Sequence, residues 1–124
     1  MKLVLRLEEL GMLLLSIVLL YIVHAQWWWY LIMFFGPDIS MMGYLAGPKI
    51  GAWSYNIFHH KGIACVILIT GILILNNYFF SDFGWICNVG IILFGHSSMD
   101  RFFGYGLKYE NGFKFTHLGE IGKK

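Results

Sequence analysis

The sequence predicts an all-α membrane protein with four transmembrane helices and both termini in the cytoplasm. Hydrophobic residues make up 58% of the 124-residue chain and charged residues only 13%, whereas soluble domains are about a quarter charged. No Asp, Glu, Lys or Arg lies in 10–35 or in 62–81, and such runs are typical of membrane spans. The basic residues are also absent from 7–48 and 62–100, which bears on topology.

The first apolar run allows two topologies. A single helix over 10–35 would be about 39 Å long, which tilt can absorb, and three spans would place the basic termini on opposite sides. A break at "VHAQWWW" gives four spans instead, at 3–23, 27–45, 50–80 and 83–103, with a tail at 104–124. All nine Lys and Arg then lie on one side, so the positive-inside rule favours four spans with cytoplasmic termini.

Further features fit this topology. Pro48 predicts a helix break around 36–48. Because Arg6 is followed by Glu8 and Glu9, and no small-residue cleavage site closes the apolar run, no cleavable signal peptide is expected. The two acids near the inner end of span one must reach the interface or find a partner. Aromatic residues mark both outer turns, as an interfacial belt does: Trp27, Trp28, Trp29, Tyr30, Tyr78, Phe79, Phe80 and Trp85.

Four ionisable residues from three spans fall in the cytoplasmic half of the bilayer. Asp38 and His96 each lie about 17 Å inward from the outer belt, Asp100 about 23 Å, and His59 about 32 Å, near the inner boundary. Ionisable groups inside a bilayer are costly and usually face a partner or a water-filled cavity. The shared depth therefore predicts that these residues meet.

The residue types at these positions match a metal site. His96 and Asp100 are i and i+4 on one helix face, and Asn56 and His59 share another face, with His60 about 100° away. Two His and two Asp suit Zn²⁺, or non-haem Fe or Mn; a haem between His59 and His96 is the alternative. Simpler explanations are Asp38 as a helix cap, a self-satisfied His96–Asp100 pair, and interfacial histidines beside Lys61.

Basic residues accompany the site at the cytoplasmic surface. Lys49, Lys61 and Arg101 are candidates for holding a phosphate or a lipid headgroup. In the tail, Tyr105, Lys108, Tyr109 and Lys114 are expected to lie on anionic headgroups. The net charge of +2 is too small to indicate nucleic acid.

Three motifs carry a family resemblance: "GPDISMMGYLAGPKIGAWSYNIFHH", "GHSSMDRFFGYGLKY" and "FKFTHLGEIG". Over about residues 6–122 the chain resembles the small bacterial membrane proteins catalogued as domain of unknown function 4260. The resemblance implies a bacterial inner-membrane protein without a known activity, and it adds Asn56 and His117 as candidate ligands or supporting residues. "PDI" at 37–39 also resembles membrane-bound metal-dependent hydrolases, although Ser40 replaces a following acid.

Three functions are compatible with these observations. The first is a metal-dependent hydrolase of a lipid or lipid-linked phosphate, in which Zn²⁺ held by the four residues activates water and either Asp38 or Asp100 acts catalytically. The second is a non-enzymatic binder or transporter of a metal ion, proton or haem, expected to form a homo-oligomer because four helices are few for a transport path. The third is a structural accessory subunit whose polar residues hold helices together.

Overall fold

The computed structural model describes residues 1–77 and 82–123 of the chain. Helices make up most of it, as predicted for an all-α protein. The α-helices are α1 (Lys2–Ile22), α2 (Trp27–Phe35), α3 (Pro48–His59), α4 (Lys61–Leu75) and α5 (Trp85–Phe103). A 3₁₀ helix covers Gly36–Ala46, and the short strands β1 (Phe115–Thr116) and β2 (Gly119–Glu120) lie in the tail.

The helix is interrupted between α1 and α2 at the predicted place. Helix α1 ends at Ile22, and α2 begins at Trp27 after Gln26, whose backbone is extended. His24 has a φ of 53°, which is uncommon for a residue with a side chain and marks a tight reversal. The 10–35 run is therefore two helices rather than one.

The predicted break around 36–48 is largely a 3₁₀ helix. It ends at Gly47, whose φ of 114° favours glycine, and Pro48 then begins α3, a position where the fixed φ of proline suits a helix start. The 3₁₀ helix packs closely on α3, because a Cβ on Gly43 would lie 2.6 Å from Ser54 Cβ.

The segment predicted as a span at 50–80 contains two helices, α3 and α4, that meet at His60 with a bend of 44°. Among residues 1–77 and 82–123, no single helix combines the length and apolarity needed to cross a membrane, whereas this bent pair does so jointly. Residues 78–80 of the segment lie outside the described residues. The predicted belt residues Tyr78, Phe79 and Phe80 lie outside them for the same reason.

Helix α5 is the centre of the fold, and its neighbours approach closely at glycines. A Cβ on Gly90 would lie 2.4 Å from the Leu68 backbone nitrogen of α4, and one on Gly71 would lie 2.3 Å from that of Cys87. A Cβ on Gly95 would likewise lie 2.7 Å from Ser16 Cβ of α1. Small residues at such crossings let helix backbones come together, which positions α5 for the site at its C-terminal half.

Glu9 has basic partners near the inner end of α1. Its carboxylate forms an ion pair with Lys61 of α4, and its other oxygen lies 3.8 Å from Arg101 Nη1 of α5. The Lys61 ammonium also contacts Met12 Sδ at 3.0 Å. The ion pairs of Glu9 thus link α1, α4 and α5. The sequence predicted that Glu9 either reaches the interface or finds a partner, and it has two basic partners.

The tail folds back on the helices. Strands β1 and β2 pair antiparallel, and the Tyr109 backbone nitrogen donates to the Phe115 carbonyl at 2.8 Å. Trp53 Nε1 of α3 donates to Glu110 Oε1 at 2.8 Å. The tail consequently covers one side of α3.

Candidate metal centre

Four side chains from three helices converge at one point. Asp38 comes from the first turn of the 3₁₀ helix, His59 from the last turn of α3, and His96 and Asp100 from α5. One ligand atom of each lies within 4.8 Å of the other three. His59, His96 and Asp100 are buried, and Asp38 is partly exposed, so the cluster is open mainly on the Asp38 side.

The four His–Asp separations in the cluster are close to those around a tetrahedral ion. His59 Nε2 lies 3.7 Å from Asp38 Oδ1 and 3.4 Å from Asp100 Oδ2. His96 Nε2 lies 3.3 Å from Asp38 Oδ1 and 3.7 Å from Asp100 Oδ1. Zn–N and Zn–O bonds of about 2.0–2.2 Å give tetrahedral ligand–ligand separations of about 3.3–3.6 Å. The four ligand atoms as a set lie within 4.8 Å of one another, so they would draw together to enclose such an ion.

Backbone contacts orient both imidazoles. His59 Nδ1 lies 2.8 Å from the Tyr55 carbonyl oxygen, and His96 Nδ1 lies 2.8 Å from the Met33 carbonyl oxygen. A carbonyl only accepts, so each Nδ1 carries the proton and donates it. In the neutral ring, Nε2 then presents a lone pair to the centre of the cluster, the arrangement common in metal-ligating histidines.

The cluster contains acceptors that face one another. His59 Nε2 is buried and has no hydrogen-bond partner among the described residues. Buried polar atoms are normally paired, and two lone pairs facing each other repel. A bridging cation, either a proton or a metal ion, therefore satisfies the arrangement.

Tyr55 supports both residue types of the cluster. Its hydroxyl donates to Asp100 Oδ2, and its ring stacks on the His59 ring with centroids 3.7 Å apart and planes 7° apart. Tyr55 and His59 are i and i+4 on α3, which places both side chains on one face. The same residue therefore fixes one carboxylate and one imidazole.

Lys108 lies beside the cluster, although it belongs to the tail. Only 3% of the residue is exposed, and its Nζ lies 4.1 Å from the ring centroid of Phe113 and 4.7 Å from that of Tyr55. Burial lowers the pKa of Lys108 to about 8, against the opposing effect of the Asp100 and Asp38 carboxylates. The expectation that Lys108 lies on lipid headgroups was wrong, because the tail folds inward here.

The three supporting candidates lie outside the four-residue cluster. Asn56 binds the Lys108 backbone, accepting from its nitrogen at 2.6 Å and donating to its carbonyl at 2.8 Å. His60 is exposed and accepts from the Ile63 nitrogen at 3.3 Å at the start of α4. His117 accepts from the Leu107 nitrogen at 2.9 Å within the tail.

The three candidate phosphate ligands do not line the cluster as a group. Lys61 and Arg101 contact Glu9, so their charges are at least partly neutralised within the protein. Lys49 is exposed in the first turn of α3.

The contacts bear on the simpler explanations for the acids and histidines. The N-cap position of the 3₁₀ helix is Phe35 rather than Asp38, and it makes no side-chain capping hydrogen bond. Arg101 contacts Glu9. Asp100 lies within ion-pair distance of both His59 and His96. His59 is buried rather than interfacial.

Tyr55 and Lys108 were missed as site residues. Tyr55 could have been found from its i, i+4 spacing to His59, the same argument that paired His96 with Asp100. Lys108 lies in a polar, glycine-rich segment, and no periodicity in the sequence indicates that this segment folds against α3.

Comparison with known proteins gives one match. The family model described as "Domain of unknown function (DUF4260)" matches residues 2–121. No curated protein and no solved structure shows significant similarity to the chain.

Proposed function

Because the chain belongs to the DUF4260 family, whose description assigns no activity, we propose a function from the site itself: a metal-dependent membrane hydrolase acting on a lipid or lipid-linked phosphate. The convergence of Asp38, His59, His96 and Asp100, with the His59 Nε2 lone pair unpartnered among described residues, carries this proposal.

Zinc is the metal that the donor set favours. Two neutral imidazoles and two carboxylates supply N and O ligands, and their spacing fits tetrahedral coordination. A haem fits poorly: the His59 and His96 ring centroids are 4.9 Å apart, and both carboxylates lie within 4.8 Å of the ligand nitrogens. A porphyrin would need the space that these carboxylates fill.

The exterior supports a membrane location. Large apolar side chains are bare on the outer faces of α1 and α4, for instance Leu14 at 53% exposure, Val66 at 64% and Leu73 at 66%. Large apolar side chains exposed along two helices are typical of a surface that faces a membrane or a partner. We place the protein in the bacterial inner membrane, with both termini and the site towards the cytoplasm, where the basic residues collect.

The residues divide the chemical work as follows. A divalent cation held by His59, His96 and Asp100 would supply Lewis acidity, the chemistry that activates water near neutral pH. Asp38 is the most exposed of the four residues, with 44% of its side chain accessible, so it is the carboxylate placed to accept a proton from an attacking water. The water oxygen bonds to phosphorus, the ester P–O bond breaks, and the leaving alkoxide takes up the proton that Asp38 accepted from the water.

The remaining three residues hold the ion. His59, His96 and Asp100 are buried and fixed by Tyr55 and by the Met33 carbonyl, which suits them to hold a constant geometry during turnover. With Asp38 acting as the base, three protein side chains would hold the ion, the number typical of catalytic zinc sites.

The test is phosphate release from short-chain phosphatidic acid by detergent-purified, zinc-loaded protein. The proposal predicts turnover by the wild type, loss of turnover after metal removal, and recovery on adding zinc. Asp38→Asn should abolish turnover while retaining part of the bound zinc, because three ligands remain. Stoichiometric zinc without turnover on any lipid phosphate would favour the binding or transport alternative; no zinc at all would favour the structural one.

A further inference from the structure

Lys108 carries a buried ammonium without a hydrogen-bond acceptor in the described part of the chain. The residue is 3% exposed and its Nζ lacks a partner. An ammonium has three donors, and leaving a buried charged donor unpaired is costly. The rings of Phe113 and Tyr55 lie 4.1 and 4.7 Å from Nζ, which compensates part of the charge but gives no acceptor oxygen.

This ammonium lies next to the metal cluster. The Tyr55 ring that it contacts also stacks on His59 and bonds Asp100 through its hydroxyl. One aromatic side chain therefore separates Lys108 from two of the four candidate ligands. A ligand oxygen reaching Lys108 would belong to a molecule held beside the metal.

A second unpartnered donor belongs to a side chain that packs against the same Phe113 ring. The Tyr44 hydroxyl is buried and has no partner among the described residues, and its ring packs edge-on against Phe113 with centroids 5.6 Å apart. Phe113 thus contacts both Lys108 and Tyr44. The buried side-chain atoms without partners in residues 1–77 and 82–123 are Tyr44 Oη, His59 Nε2 and Lys108 Nζ, and each belongs to a side chain that packs against Tyr55 or Phe113.

The charge balance indicates the sign of the missing ligand. The two carboxylates of the cluster contribute −2, a divalent cation +2 and Lys108 +1, so the loaded site has a surplus of about one positive charge by simple counting. An anionic ligand neutralises this surplus. Two hydrogen-bond donors with no acceptor agree with the same sign.

We propose that Lys108 Nζ and Tyr44 Oη form an oxyanion subsite beside the metal cluster, which binds a phosphoryl oxygen of the substrate. The assignment of phosphate rather than another oxyanion rests on the proposed function. Lys108, rather than Lys61 or Arg101, is then the phosphate-binding cation, because Glu9 already contacts the other two.

The side chain of Lys108 can be changed without releasing the tail. Asn56 bonds only the Lys108 backbone nitrogen and carbonyl, and the Lys108 backbone also pairs with Thr116. Lys108→Met keeps the length and apolar body of the side chain while removing its charge. Lys114→Met is the matched control, because Lys114 is an exposed lysine of the same tail.

The experiment measures binding of inorganic phosphate to the full-length, zinc-treated protein in detergent by calorimetry, with zinc content measured on the same samples. The subsite predicts that Lys108→Met weakens phosphate binding by about tenfold to a hundredfold, as expected for a charged hydrogen bond, with zinc content unchanged. Tyr44→Phe should weaken it several-fold, and Lys114→Met should leave it unchanged. A purely structural lysine would lower the melting temperature without this selective loss.

The outcomes separate the subsite from the proposed hydrolase. Normal zinc with unchanged phosphate affinity in Lys108→Met overturns the subsite alone. Phosphate binding that depends on Lys108 in a protein that holds no zinc supports the subsite and overturns the hydrolase. No phosphate binding by the wild type overturns the subsite. If Lys108→Met fails to fold, Tyr44→Phe decides, and unchanged affinity in that variant overturns the subsite.

A competition arm identifies the source of the phosphoryl group. Displacement of inorganic phosphate by dihexanoyl phosphatidic acid, with the same dependence on Lys108, assigns the subsite to a lipid headgroup. Phosphate binding that the lipid does not displace assigns it to free phosphate.

Discussion

Replacing Tyr55 by phenylalanine removes a single hydroxyl from the edge of the metal cluster and leaves the rest of the side chain in place. The hydroxyl donates to Asp100 Oδ2, while the ring stacks on His59 at 3.7 Å. The substitution should keep the stacking, because the ring itself is unchanged. It therefore tests how far an orienting hydrogen bond to one ligand determines metal affinity.

The expected magnitude follows from the position of Asp100. Its two oxygens face both imidazoles, with Oδ2 at 3.4 Å from His59 Nε2 and Oδ1 at 3.7 Å from His96 Nε2. A carboxylate released from its hydrogen bond can rotate and lose one of these alignments. Removing such an outer partner costs about 10–100-fold in metal affinity, equivalent to about 1.4–2.7 kcal/mol.

The assay is a zinc titration in competition with a chromophoric chelator, comparing the wild type with Tyr55→Phe. Tyr109→Phe serves as the control, because Tyr109 is an exposed tail tyrosine at 55% exposure and should not change affinity. If Tyr55→Phe binds zinc as tightly as the wild type, Asp100 is not oriented by Tyr55 and the description of the site is wrong at that residue.

Three further predictions concern the scaffold. Gly90→Ala should lower the free energy of unfolding by about 3 kcal/mol, since its Cβ would meet the α4 backbone at 2.4 Å. The control Gly11→Ala has open space around it and should stabilise α1 by about 1 kcal/mol. Equal unfolding midpoints for the two variants would refute the close packing at Gly90. Glu9→Gln should lower the free energy of unfolding by about 3 kcal/mol, because it leaves the Lys61 ammonium partly unpaired. The double variant Glu9→Gln with Lys61→Met should recover part of that loss in the same unfolding assay. No recovery would mean that the two side chains are not coupled. Asn56→Ala should speed proteolysis of the tail, because two hydrogen bonds of 2.6 and 2.8 Å to its backbone disappear, and unchanged cleavage rates would show that the tail is held otherwise.

The meeting of the four cluster residues could be predicted because distance along a helix is a one-dimensional quantity. Helical rise converts sequence distance from an aromatic turn into distance along the helix axis. On this measure Asp38, His96 and Asp100 were expected about 17–23 Å from such turns and His59 about 32 Å away, without any knowledge of which helices touch. The sequence also predicted that Glu9, an acid in an apolar helix, reaches the interface or finds a partner. It could not predict that the partner is Lys61, because that depends on how α1 and α4 pack.

The parts that could not be predicted depend on packing rather than periodicity. Pro48 indicated a break, but no pattern in the sequence indicated that Gly36–Ala46 forms a 3₁₀ helix that packs on α3. Lys108 reads as a surface lysine because its neighbours are polar, and its burial follows from the backbone bonds to Asn56. Such a tether joins residues more than fifty positions apart and leaves no local pattern.

The central claim, that a divalent metal ion binds in the cluster of Asp38, His59, His96 and Asp100, is tested most directly by elemental analysis of protein purified without chelators. The site predicts about one zinc ion per chain in the wild type and none in His96→Ala, which loses one of the three residues proposed to hold the ion. The His60→Ala control should retain its metal because His60 lies outside the cluster. Absence of metal from the wild type, or equal metal in the wild type and His96→Ala, would contradict it.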